Sequence, residues 1–466
     1  MRSRSRSYRV CGLAAVVAMV LFFGSTGRAA VSDAQVVLQW NKIAEDIVTT
    51  PPPGAMIKTY QNEGLIYMAY VSAAIYDAAV AIKGGFEPYG FDVDACSGGD
   101  GARKGRTRFS IDASPDASVQ AAVATAAYRI LVKYFPSDAT TLDTRYAESL
   151  AAISDGQSKQ DGITVGNKVA RQLICLRAGD NLPALTQTSS FEHRDPGPGV
   201  WRLTPPYALP QTPWVGDLQP FVLRTVDQFH PAPPPSLESP QWVAEFNEVK
   251  AYGDAAHAAD RPQQSATATF WTANVIRQYN RLGRDIATAQ ALDAPGTARL
   301  LAMINIVGAD AQIAVMHWKY HFLFWRPVTA IDPCSVIDDI FGPAGCDDPL
   351  HPPDSDRNPA TVEEVGWRPF IGTPNHPEYP AAHGSLTGAI TEVLTEFFGT
   401  DQLNVDIHGS PGDTVRHFAT AEEIVQEIVD ARVWAGVHYR GSVESGVKLG
   451  QKVARFDLNH AFQPAR

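Results

Sequence analysis

The stretch "NHPEYPAAHGSLTG", residues 375–388, places one histidine, His383, among prolines, alanines and a glycine, with nothing beside it in sequence to act as a partner. Alone it reads as a histidine that caps a helix. Two other stretches carry groups suited to shared chemistry with it. In "KYHFLFWRP", Lys319 and Arg326 are seven residues apart, which at about 100° per residue puts both cations within roughly 20° of one helix face. In "TAEEIVQEIVDARVWAGVHYRGS", Arg432 and His438 are six apart, about 120° around a helix axis and roughly 9 Å along it, so they could bracket a pocket. Three cations suit a tetrahedral oxyanion. One histidine can attack or ligate its central atom, and a second can give or take an apical proton. His383 opens a run with Leu386, Ile390, Leu394 and Phe397 at helical spacing, so it sits near a helix N-terminus, where free N–H groups favour an anion and oppose protonation of the ring. The blander readings are that Lys319 and Arg326 snorkel to solvent and that Ala435 and Gly436 are ordinary helix-packing residues.

The elements that must position these groups are helices. Alanine-rich segments with helical periodicity recur at 34–48, 62–83, 116–134, 139–154, 161–177, 264–288, 296–325, 383–398 and 421–438, and strand signals are few. The expected fold is all-α: a large helical protein of two packed bundles in one compact unit, residues 31–240 and 241–466, with the oxyanion site in the C-terminal half. "GLIYMAYVSAAIYDAAVAI" and "LLAMINIVGADAQIAVMHW" are apolar almost all round, as central helices are; Asp77, Asn305, Asp310 and Gln312 make them poor membrane spans. Thr420 and Glu423 have the spacing of a capping box. The proline-rich region 184–240 carries Trp201, Trp214 and Phe221, which marks an ordered crossing loop and not a disordered linker. "AAIYDAAVAI" and "VGADAQIAVM" are a faint echo of duplication.

With 466 residues, 45% hydrophobic and 19% charged, the chain can bury a substantial core. Its net charge of -11 argues against a nucleic-acid binder or a protein held on anionic lipid. The N-terminus, four arginines followed by an apolar run from Val10 to Phe23 and then small residues, has the layout of a secretory signal peptide. Residues 1–30 are therefore expected to be removed and the protein to be secreted or periplasmic, with no later run of about 18 uninterrupted apolar residues to span a membrane. Removal takes Cys11 and leaves Cys96, Cys175, Cys334 and Cys346, enough for two disulfides in an oxidising compartment. Pairing of Cys334 with Cys346 is favoured, because the loop between them can close on itself; no cysteine spacing suits zinc.

The order Lys, six residues, Arg-Pro, then Pro-x-x-His, then Arg, five residues, His resembles the superfamily of vanadium-dependent haloperoxidases and type-2 phosphatidic acid phosphatases. "FWRPVTAI" at 324–331, "ATFWTANVIRQYNRLGRDIA" at 268–287 and "GVWRLTPPY" at 199–207 are similar to its bacterial haloperoxidase-related branch. The resemblance implies a small-molecule enzyme with vanadate as cofactor, or none if it is a phosphatase; its substrates would be peroxide and halide, or a phosphoester. It implies that Lys319, Arg326 and Arg432 bind the equatorial oxygens of the anion and that His438 is the axial nitrogen on vanadium, or the phosphatase nucleophile. His383 would be the acid/base, and His376 would lie near the halide path. The sequence also departs from the family pattern. Ala381 and Ala382 stand where Ser-Gly is usual; the serine bond is lost, but the backbone N–H of Ala382 can still face the anion. Ala431 replaces a serine, and Ser442 an aspartate that would orient the nucleophilic histidine. The leading reading is an exported peroxidase, the alternative a metal-free phosphatase in the same pocket, and the third a binding protein without turnover.

Overall fold

The computed structural model describes residues 31–465 apart from 90–110, 112, 181, 183–193, 196, 205–208, 334–355 and 357. Ser32–Arg466 form one compact unit. In chain order the helices are α1 (Asp33–Thr49), α2 (Gln61–Lys83), α3 (Val119–Tyr134), α4 (Ala139–Ala151), α5 (Gln157–Leu176), α6 (Pro240–Tyr252), α7 (Pro262–Phe270), α8 (Val275–Ala289), α9 (Ala294–Phe322), α10 (Pro327–Ile331) and α11 (Ala382–Phe398). An antiparallel hairpin of β1 (Gln402–Gly409) and β2 (Thr414–Thr420) follows, then α12 (Ala421–Trp434) and α13 (Arg440–His460). Among the described residues the chain is all-α but for that hairpin. Local signals explain several helix starts: Ser32 and Gln35 close a capping box, Asn274 and Asp293 accept backbone N–H groups, and Thr420 with Glu423 form the anticipated box.

Helix α9 is the axis of the molecule. It packs on α2, α11 and α13 and is buried along nearly all of its length. Helices α2 and α9 are long and apolar enough to cross a membrane, yet both are enclosed by protein. The three polar residues that interrupt the apolar run of α9 each fix another element. Asn305 exchanges amide bonds with Asn280 of α8, which also accepts from Asn41 of α1. Asp310 accepts the backbone N–H groups of Phe221, Val222 and Leu223 at 2.5, 2.7 and 3.0 Å, which clamps the crossing loop onto the core. Arg177 grips the same loop through the carbonyls of Gln219 and Pro220, and Trp201, Trp214 and Phe221 are buried. Gln312 donates to the Ala382 carbonyl at 3.1 Å and so sets the start of α11.

Four sequence expectations need correction. The helix expected over 296–325 ends at Phe322, because Leu323 turns left-handed (φ 51°) and 323–325 pair with 199–201 of the crossing loop. Lys319 and Arg326 therefore do not share a helix face; Arg326 precedes Pro327 at the start of α10. The helix expected over 421–438 ends at Trp434, so His438 lies beyond it. There Gly436 (φ 76°) lets the chain turn against the backbone of Gly253 and Pro369, where a Cβ would not fit. The segment 264–288 is two helices broken at 271–274, where Asn274 caps the second.

Helices α6 and α13 and the hairpin were not anticipated. Gly446 and Gly450 make α13 look like a poor helix, but they serve its packing against α11. A Cβ at Gly446 or Gly450 would strike the carbonyl of Ala381 or Ser385, and one at Gly384 or Gly388 that of Val443 or Val447. Cys175 is disulfide-bonded; the favoured Cys334–Cys346 pair, and the signal peptide, lie outside the described residues. Forcing a side chain into the α11–α13 seam, as in Gly450→Val, is expected to destabilise the fold by about 3 kcal/mol or more, read as a lowered urea midpoint with an unchanged slope.

Candidate active site

Helix ends converge on one place. Lys319 sits in the last turn of α9, Arg326 just before α10, Arg432 in the last turn of α12, His383 in the first turn of α11, and His438 between α12 and α13. All three cations are buried, Lys319 and Arg326 completely. Burial pushes the Lys319 ammonium well below its usual range, helped by Arg326 and Arg432 and opposed by Glu378. Burial, then Arg326, pulls Arg432 down to about 9; burial pulls Arg326 to about 10 against the pull of Glu378.

The donors of these cations can be counted. Lys319 Nζ has three, and two go to the carbonyls of Pro377 and Glu378, both at 2.8 Å. Arg326 has five: Nε donates to the His376 carbonyl (2.9 Å), Nη1 to the Val437 carbonyl (2.8 Å) and His438 Nε2 (3.2 Å), and Nη2 to His376 Nδ1 (3.0 Å). One N–H remains on each. Arg432 makes no hydrogen bond among the described residues, and its Nε is both buried and orphaned. Buried charge without an acceptor is costly unless a ligand supplies one. The donor set fits a tetrahedral oxyanion such as vanadate or phosphate, with Ala382 at the open N-terminus of α11 able to offer its N–H.

The cations also fix the tautomer of His438. Arginine can only donate, so His438 accepts at Nε2 and must carry its proton on Nδ1, which donates to Glu378 Oε1 at 2.7 Å. That oxygen also accepts the N–H of Tyr439 at 3.1 Å. Burial holds the Glu378 carboxyl up at about 7, against the pull of Lys319 and Arg326. His376 is 6% exposed, and its Nδ1 lies 3.0 Å from Arg326 Nη2, from which it can accept, and 3.1 Å from the Pro377 carbonyl, to which it can donate. His383 is half-buried and bonds to nothing among the described residues. Burial first, then the nearby cations, holds all three rings well below the usual histidine range, so they are neutral.

The structure brings Lys319, Arg326, His376, His383, Arg432 and His438 within electrostatic reach of one another, and Ala382 stands beside His383 at the start of α11. It adds Glu378, which the sequence reading missed. The only signal was a carboxylate in a segment otherwise free of charge between His376 and His383. Ser442, at the position of the expected aspartate, donates to the Glu378 carbonyl at 3.4 Å and also hydrogen-bonds the Glu378 carboxyl.

This arrangement gathers oxyanion-binding donors in a helical protein, and known proteins are similar to it. Residues 299–466 match the family described as VCPO second helical-bundle domain. The vanadium chloroperoxidase of Curvularia inaequalis is 26% identical over a match that covers 38% of this chain and 36% of that protein, so the chain spans about a third of the length of this curated relative. The fold is similar to that of a bacterial vanadium-dependent iodoperoxidase, with a TM-score of 0.69 at 21% identity over 92% of this chain and 98% of that one. An apo-type bacterial vanadium-dependent chloroperoxidase gives 0.59 at 16% identity over 85% and 94%. The C-terminal part of the chain is thus similar to that helical-bundle domain, and the fold is similar to that of bacterial vanadium-dependent haloperoxidases.

Two outcomes follow. Arg432→Met removes a repelled, unpaired cation, so without anion it should leave stability unchanged or raise it by about 1–2 kcal/mol, while phosphate affinity falls about tenfold or more. Denaturant unfolding and calorimetry check both arms. Because their pKa values are depressed, His376, His383 and His438 should stay neutral as pH falls from 7.5 to about 5.5, seen as flat ring 15N shifts; a titration centred near 6.5 would contradict it.

Proposed function

We propose that this protein is an exported vanadate-dependent peroxidase that uses peroxide to oxidise a halide or a small electron-rich substrate. The observation that carries the reading is the donor set left unspent among the described residues: one N–H on Lys319, one on Arg326 and the buried Nε of Arg432, beside a neutral His438 whose Nε2 accepts from Arg326. Lys319, Arg326, Arg432 and the Ala382 N–H would hold the anion's oxygens, and His438 Nε2 would be its protein nitrogen. Bound vanadate supplies a Lewis-acidic centre that activates peroxide without changing its own oxidation level. The chain's own task is electrostatic. Its cations withdraw charge from bound oxygens, and neutral His383 can take a proton from an incoming peroxide and return it to a leaving oxygen. His376, in contact with Arg326, would lie beside the path of a halide or substrate. Export is supported by the signal-like N-terminus and the disulfide at Cys175.

One observation favours a second reading. Glu378 gives His438 the carboxylate that a histidine nucleophile needs, so a metal-free phosphatase in the same pocket is better supported than Ser442 alone suggests. Purified protein incubated with orthovanadate should oxidise iodide or bromide with peroxide, and His383→Ala should lower that rate about 10²-fold or more. If no halide is oxidised and no vanadium retained, while a phosphomonoester is hydrolysed until His438→Ala abolishes it, the phosphatase reading replaces the first.

A further inference from the structure

In the family pattern the carboxylate that orients the site histidine comes from the helix after it, at the position held here by Ser442. That hydroxyl donates to the Glu378 carbonyl at 3.4 Å and lies close enough to the Glu378 carboxyl to hydrogen-bond it, so it reaches Glu378 and not His438. Glu378 enters from the opposite direction, from the segment that leads into α11. It is fully buried, and its Oε1 accepts both His438 Nδ1–H and Tyr439 N–H. Its own carbonyl accepts Lys319 Nζ, next to the Pro377 carbonyl that does the same.

We infer that Glu378 is the positioning residue for His438 and that it has taken over, from the segment before His383, the role of the carboxylate missing at 442. The same four residues, Pro377 to Pro380, then aim one equatorial cation and the axial nitrogen and lead into the helix that presents His383. A carboxylate on Nδ1–H locks the ring and raises electron density at Nε2. That strengthens a bond from Nε2 to a metal-like centre far more than it strengthens simple anion attraction, which a nearby negative charge opposes. The consequence is a selectivity that tells a positioning role from a merely structural one: Glu378 should favour vanadate, which can bond Nε2, over phosphate, which does not form that bond.

This inference rests on the proposed function only in taking His438 Nε2 to face the anion. It is tested on the intact protein with 15N-labelled histidine, using orthovanadate and inorganic phosphate as probes. The wild-type His438 Nδ1 proton should be far downfield and protected from exchange. Glu378→Gln should move it upfield, and Glu378→Ala should broaden it away. The vanadate-to-phosphate affinity ratio should fall about 10–100-fold in Glu378→Ala, and Glu378→Ala with Ser442→Asp should restore both signals. An unchanged proton signal and ratio in Glu378→Ala, or in Glu378→Gln if the alanine variant does not fold, would overturn the inference; a folded double variant that restores neither would overturn the equivalence of the two positions. A wild type without preference for vanadate would sink the peroxidase reading, while the proton signal would still decide whether Glu378 holds His438.

Discussion

Three cations are buried in this core against one carboxylate. Lys319, Arg326 and Arg432 lie where a charge is expensive, the histidines around them are neutral, and among the described residues Glu378 is the carboxylate that faces them. Backbone carbonyls absorb part of the imbalance, those of His376, Pro377, Glu378 and Val437 accepting from Lys319 or Arg326. Arg432 Nε has no such relief among the described residues. A protein selected for stability alone would not keep this arrangement; one selected to hold a compact multivalent anion must.

That constraint accounts for the irregular places in the fold. Each group sits at or just beyond a helix end, where backbone carbonyls or N–H groups are free to take part. The left-handed turn at Leu323 releases Arg326 from α9, and the turn at Gly436 releases His438 from α12. The open start of α11 is set by Gln312 above and by the glycine seam with α13 beside it. Asp310 and Arg177 hold the proline-rich crossing loop, whose residues 199–201 pair with the strand that delivers Arg326. The site is thus assembled from one central helix and the pieces fastened to it.

Much of this was legible in the sequence because it rests on residue type and local periodicity. The long helices, the capping box at Thr420, the ordered crossing loop and the set of cations and histidines all follow from such signals. Three features did not. The exits of Arg326 and His438 from their helices depend on contacts distant in sequence, with the 199–201 segment and with Gly253, and a helix-period count runs straight through both. Helix α13 was hidden because its glycines read as helix-breaking, although the α11 backbone requires them. Glu378 carries no motif; its meaning comes from His438, sixty residues away, so the apparent loss of the carboxylate at Ser442 was in fact a relocation.

The central claim is that the unpaired donors and the His438 nitrogen form one site for one oxyanion. A crystal structure of the protein grown with orthovanadate tests it most directly. The account predicts a single anion whose oxygens accept from Lys319, Arg326 and Arg432, with vanadium in bonding reach of His438 Nε2 and Arg326 displaced from that nitrogen. An empty pocket with Arg326 still donating to Nε2, or vanadate bound elsewhere, would contradict it.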